Sequence, residues 1–265
     1  MSFYGSSFSF DGISCEEYGL MLYDFGSTKQ GDSKYASIEV HEDRVPSRAR
    51  SLFYGTSYSK PLEFTLVFGA NEDSESYGEP IDRQDMEIIG SWLTGHSEYK
   101  WLAIDQPDME GIRYRCIIND LETIELSMCK WAFKCTVHCD SPFAYTIPEQ
   151  FTYTVDGSAD IVLHSRASSN MPYYPTVTIS GLLGEDVEIV NHDFNGSTFR
   201  LLLADTNITD VVANGETGIL SGSIGNLYSY FNFCFPALVR GVNHLSIKGS
   251  GTYTFTCEFP VNVGG

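Results

Sequence analysis

"FKCTVHCDSPFAYTIPEQ", residues 133–150, is where the chain changes character. Its first half alternates, placing Cys135, Val137 and Cys139 on one face of a strand. Pro142 and Pro148 then bracket an aromatic stretch through which neither a helix nor a central strand carries. A domain boundary is therefore expected near Tyr145, separating residues 1–145 from 146–265. The stretch also holds the one grouping that hints at a metal: Cys129, Cys135 and Cys139 with His138. Alternation puts Cys135 and Cys139 in the same row as Val137, so core packing is their expected role.

Upstream, Phe8 and Phe10 share a face before Asp11-Gly12 reverses the chain. The Gly- and Ser-rich segment from Tyr23 to Ala36 reads as a loop or an exposed hairpin tip. "SIEVHEDRVPSRARS" follows, with Ile38 and Val40 on one face until Pro46 interrupts. Arg44, Arg48 and Arg50 bunch there in an otherwise acidic chain, as a solvated face or as a patch that docks onto an acidic neighbour. "KPLEFTLVFGA" is a strand, with Leu62, Phe64, Leu66 and Phe68 alternating against Glu63, Thr65 and Val67. Past the acidic loop "NEDSESYGEP", one helix is predicted through "IDRQDMEIIGSWLTG". Asp82 caps it, Asp85 stands three positions on, Gly95 closes it, and Met86, Ile89 and Leu93 form its apolar face. "YKWLAI", "IRYRCIIND" and "ETIELSMCKWAFKCTVHC" read as three further strands.

Downstream of Tyr145 no helical period is present. Short strands alternate with Gly, Asn and Asp turns: "FTYTVDG", "ADIVLHS", "YPTVTISG", "DVEIVNH", "STFRLLLADTNITDVVANGE", "TGILSG" and a closing hairpin at 241–259. Six to nine such strands describe a β-sandwich or jelly roll. In the closing hairpin Leu245 and Ile247 face inward, and Gly241 and Asn243 are read as turn residues. Arg240 and His244 fall in the turn or on the solvent side.

Composition narrows the function. The 265 residues carry 35 acidic against 16 basic side chains, a formal charge of −19, which repels nucleic-acid phosphates. Apolar residues make up 42% of the chain and aromatics 14%, enough for packed cores rich in strand formers. The start has no basic leader or apolar run, so synthesis in a cytosol and reduced thiols are expected for the seven cysteines. No stretch is long and apolar enough to span a membrane as a helix. No phosphate-binding glycine loop or nucleophile elbow is found, and the six histidines contain no pair at metal spacing. "NHDFNG", residues 191–196, has the residue types for sugar or calcium but ends in the Asn-Gly of a hairpin. No catalytic site, cofactor or metal is expected.

The order of these features resembles the distal tail proteins of long-tailed, siphovirus-type bacteriophages. "FSFDGISCEEYGLML", "KPLEFTLVFGA", the helix ending in Trp-Leu with its following strands, "FKCTVHCDSPFAY" and "FNFCFPALVRGVNHLSIKGSGTYTFTCEFP" carry the likeness. The resemblance implies a mainly β fold: an N-terminal antiparallel β domain with one α-helix, then a galectin-like β-sandwich. It implies a structural, non-enzymatic virion protein at the distal tail tip, assembled in the host cytoplasm. The first domain would form a homohexameric ring meeting the tail tube protein on one face and the tail-associated hub protein on the other. The sandwich would project outward toward receptor-binding or baseplate proteins, with DNA only as passing cargo. Arg44, Arg48, Arg50, Arg240 and His244 are the interface candidates. Glu72, Asp73, Glu75 and Glu79 are the candidates for an acidic lumen. A carbohydrate-binding module for host surface glycans is the alternative, although the His-x-Asn-Pro-Arg signature of galectins is absent. A secreted glycan-degrading enzyme is the third class, disfavoured by the missing leader and catalytic constellation.

Overall fold

The computed structural model describes residues 5–23, 38–58, 60–71, 78–204, 206–223 and 226–263. The chain divides into two compact units, Met1–Tyr145 with Asn262–Gly265, and Thr146–Val261.

Unit one contains strands β1 (Ser7–Phe10), β2 (Ile13–Ser14), β3 (Leu20–Leu22), β4 (Ile38–Asp43), β5 (Leu52–Tyr58), β6 (Glu63–Ala70), β7 (Lys100–Asp105), β8 (Ile112–Leu126) and β9 (Cys129–Cys139). Its helix α1 (Arg83–Thr94) is the one α-helix among the described residues. Seven strands form an antiparallel sheet in the order β2-β1-β7-β8-β9-β6-β3. Its end strand β3 approaches the start of β1, since the Leu22 N–H donates to the Ser6 carbonyl at 2.9 Å. Asp11 and Gly12 take positive φ of 53° and 81°, as the Asp-Gly turn requires. Asp82 caps α1, accepting from the Asp85 N–H at 2.8 Å while the Asp85 carboxylate accepts from the Asp82 N–H at 3.1 Å. Ile89, Trp92 and Leu93 are buried beneath it. Trp92 stacks on Phe8 at 5.7 Å and donates its indole N–H to the Phe10 carbonyl at 3.3 Å. Phe68 links the two sides of this core, 5.3 Å from Phe8 and 5.4 Å from Phe133.

Two local expectations are corrected, for "ETIEL" and for Val67, while Gly95 closes α1 as expected. "ETIEL" does not open a separate strand. β8 runs on through a bulge at Asn119–Glu122, with Asp120 at φ 50°, and turns back only at Ser127–Met128. That turn has none of the usual Gly or Asn, which is why its position was illegible. Val67 is fully buried although it lies opposite the Phe64–Leu66–Phe68 row, so both faces of β6 are covered there. Gly95 ends α1 at φ −75°, not in the left-handed conformation, and its neighbour His96 places Nε2 2.7 Å from the Trp92 carbonyl.

After the short strand β10 (Ala144–Thr146), unit two is a β-sandwich. Its strands are β11 (Glu149–Val155), β12 (Ser158–Ser165), β13 (Thr176–Ser180), β14 (Val187–Asn191), β15 (Ser197–Leu201), β16 (Asp210–Asn214), β17 (Ile219–Gly222), β18 (Gly241–Lys248), β19 (Gly251–Cys257) and β20 (Pro260–Val261). One sheet has the order β11-β19-β13-β16-β17, the other β12-β18-β14-β15. Their inner faces meet in one core, in which Tyr253, Phe255, Cys257 and Phe259 form the fully buried row from the closing hairpin. Asn243 is corrected: it is an inward-facing strand residue, fully buried and bonded to Asn191 at 2.9 Å.

Candidate functional site

Strands β4 and β5 pair only with each other, as a two-stranded arm separate from the large sheet. All six residues of β4 are exposed, and β5 is exposed or half-exposed throughout. An isolated hairpin with neither face on a core is marginal in water. This one also carries Ile38, Val40 and Leu52 in the open, with Phe53 and Tyr54 each 65% exposed. A register shift between His41 and Glu42 leaves Tyr54 as the extra residue of a bulge.

The base of the arm is fixed. Tyr58 packs edge-on against the buried Phe143 ring at 4.8 Å. Just beyond it, the Leu62 N–H donates to the Ser141 carbonyl at 3.0 Å, and the Cys139 N–H to the Leu62 carbonyl at 2.9 Å. The far end is basic. Arg44, Arg48 and Arg50 are exposed in the loop joining the strands, where the Arg48 N–H donates to the Val45 carbonyl at 3.1 Å and Ser47 adopts φ 84°. Among the described residues none of the three arginines is in an ion pair. Glu39, Glu42 and Asp43 line β4, so the arm carries cations at its tip and carboxylates along its shaft. Such a surface is complementary to a second copy displaced along it. The arginine bunch is legible in the sequence. The apolar half was missed, although Phe53-Tyr54 signals it: consecutive aromatics on a strand point to opposite faces, and both need cover.

Residues 3–141 match the family described as phage tail protein N-terminal domain, and residues 143–257 the phage tail C-terminal domain. The chain belongs to the phage tail protein family. This phage tail protein also shares its fold with the Dit protein of phage SPP1, described as a paradigm of the hub adsorption apparatus in phages that infect Gram-positive hosts. The two chains are 13% identical, with a TM-score of 0.68 over 96% of this chain and 98% of that one. The likeness of order and motif to distal tail proteins is met by the same mainly β, two-unit fold. No curated protein matches the sequence.

The other candidate residues of the phage tail protein belong to other elements. Arg240 is exposed just before β18, and His244 sits on the outer face of that strand with Nδ1 2.9 Å from an Asp193 carboxylate oxygen. Glu79 is exposed at a cleft floored by Ile89 and Phe133, whereas Glu72, Asp73 and Glu75 lie outside the described residues. "NHDFNG" spans the β14–β15 turn, with Asn195 and Gly196 at φ 50° and 67°. Its Asn191 side chain is committed to the core, donating to the Ala237 carbonyl at 2.7 Å. Burial pushes the Cys135 thiol up to about 12 and the Cys116 and Cys139 thiols higher still. Burial in this core favours their protonated, neutral form. Among the described residues no group of three His, Cys, Asp or Glu is placed to hold a metal, and no helix is long and apolar enough to cross a membrane.

Proposed function

We propose that this chain is a distal tail hub protein, a non-enzymatic component whose first unit closes a six-membered ring at the end of the tail tube. The exposed arm carries the reading. It is built at a cost in solvent-exposed aromatics that only a covering surface repays, and its charge pattern suits head-to-tail contact between identical copies. In a ring each arm lies on the neighbouring subunit, its aromatics are covered, and the edges of the hairpin are removed from solvent. One face of the ring meets the tail tube protein and the other the tail-associated hub protein. The sandwich extends outward toward receptor-binding or baseplate proteins.

A net charge of −19 suits a ring through which DNA passes without being held. The lumen is assigned to carboxylates of the first unit, with Glu72, Asp73, Glu75 and Glu79 as the candidates. Arg44, Arg48 and Arg50 belong to the contact between copies, and Arg240 and His244 to contacts made by the sandwich. Electron microscopy of the purified chain tests the ring, and gold labelling of a tagged copy in virions tests its position. Closed rings and label at the distal tip are expected. Label spread along the tail, or particles without a central opening, would contradict the proposal.

A further inference from the structure

We propose that the loop following β17 in the sandwich carries a stacking site for a neutral hexopyranose ring, with Tyr228 and Phe233 as its platform. Phe233 is 72% exposed and Tyr228 37%, in a unit whose largest aromatic rings, among them Phe199, Tyr253, Phe255 and Phe259, are fully buried in one core. Their rings stack on each other, 21° from parallel with centroids 6.1 Å apart.

Both rings are held in place. The Tyr228 hydroxyl accepts from the Leu220 N–H at 3.0 Å and donates to the Gly218 carbonyl at 3.4 Å. Phe233 stands at φ 61°, a left-handed conformation that a bulky aromatic adopts only where its surroundings impose it. The neighbouring Asn232 is anchored to β15. Its side-chain amide donates to the Thr198 carbonyl at 2.8 Å, and its side-chain oxygen accepts from the Arg200 N–H at 3.1 Å. Phe231, buried against Phe199, backs the platform with its centroid 5.6 Å from that of Phe233. Rigid, outward-facing rings retained against backbone strain are the mark of a contact surface rather than of packing.

Three observations select the occupant. Residues 217–239 contain no charged side chain, in a chain that is 19% charged, and the adjoining Arg200 is already paired with Glu188 at 2.5 Å, so the loop suits a neutral ligand. β15 is an edge strand, but the loop already takes its backbone groups: Leu201 bridges Phe231, and the Asn232 N–H donates to the Arg200 carbonyl at 3.2 Å. A partner strand therefore finds no edge to join. The two rings together offer on the order of 200 Å² of aromatic surface. A stable protein partner needs about 800 Å² per side. A sugar ring, which lays its C–H face on an aromatic and keeps its hydroxyls in water, needs far less. The assignment does not rest on ring assembly and goes beyond the hub reading.

Saturation-transfer NMR on the full chain tests it, using glucose, galactose and N-acetylglucosamine oligosaccharides as probes and glucuronate oligosaccharides for comparison. Transfer to the C–H protons of at least one neutral probe is expected, with little to the glucuronates. Phe233→Gly removes the platform while accommodating the left-handed backbone. It should leave the melting temperature within about 3 °C of the native value and cut the transfer at least tenfold. Tyr228→Ala should also reduce it, whereas an arm variant that fails to assemble should retain it. Absence of transfer to every neutral probe overturns the proposal. So does transfer that persists in both platform variants, or a virion protein whose capture by the chain is lost in Phe233→Gly while the sugars are ignored.

Discussion

Asn191 and Asn243 are the buried asparagines among the described residues of the sandwich, bonded to each other and to backbone groups around them. Asn243 accepts from the Val239 N–H at 2.8 Å and donates to the Val239 and Gly241 carbonyls at 2.9 and 3.1 Å. Asn243→Leu strands these backbone groups, and urea unfolding should show a loss of about 2–3 kcal/mol, with Asn191→Ala less than additive to it. The inward parity of Asn243 with Leu245 and Ile247 was visible in the sequence. Its partner, 52 residues away, was not, and without a partner an inward Asn reads as a turn. Two carboxylates secure the closing hairpin from outside, one at β18 and one at the turn that follows it. Glu185 accepts from the Ser250 N–H and hydroxyl, both at 3.0 Å, and Asp193 accepts from the backbone N–H and ring of His244. The Asp193 pKa is lowered, first by the His244 backbone N–H and then by its side chain; that of Glu185 is lowered by the backbone and then the side chain of Ser250. A depressed folded pKa adds stability that is complete above the unfolded value, about 3.9 for Asp and 4.3 for Glu, and is lost as pH falls through the folded one. Acid titration of Asp193→Asn with Glu185→Gln should therefore be shallower than native below about pH 4 and should match its slope near pH 7.

At the scale of elements, helix α1 and the closing hairpin were legible because their signals are local: a capping box with a 3.6-residue stripe, and strict alternation around glycine turns. Asp82→Ala should cost about 1 kcal/mol in a thermal melt, the loss of one reciprocal cap. The β8–β9 hairpin was misread for the opposite reason. Its turn residues Ser127 and Met128 take φ 54° and 65° without being Gly or Asn, and Met128 is 97% exposed. Here long cross-strand pairing imposes the turn, rather than turn chemistry imposing the pairing. Replacing Ser127-Met128 with Asn-Gly should raise stability by about 1–2 kcal/mol, since both residues then favour the conformation they already hold. A melting temperature that fell would show that Met128 is held by contacts within the unit. The arm follows neither pattern: its strands were suggested by alternation in β4, but its isolation is a tertiary fact, recorded nowhere in local periodicity.

For the whole molecule, the chain divides after Tyr145, with Asn262–Gly265 joined to the first unit rather than to the sandwich, and the excess of aromatics supplies two separate cores. What lies beyond one chain has to be argued from what the chain leaves uncovered. Among the described residues of the first unit, the arm gathers the most exposed large apolar side chains, with cations at its tip in a protein whose net charge is −19. Contacts between these arginines and the carboxylates of a neighbour weaken as salt shortens the Debye length from about 10 Å at 0.1 M to 3 Å at 1 M. Assembly should therefore loosen between those salt concentrations, and Arg44, Arg48 and Arg50 changed together to Ser should reproduce the effect at low salt. The central claim is that the arm closes a ring of six copies. Light scattering coupled to size exclusion measures it most directly, on the native chain and on Phe53→Ser with Tyr54→Ser. The account predicts the mass of six 29.5 kDa chains for the first and of a single, fully folded chain for the second. The same mass for both, whether one copy or six, would contradict it.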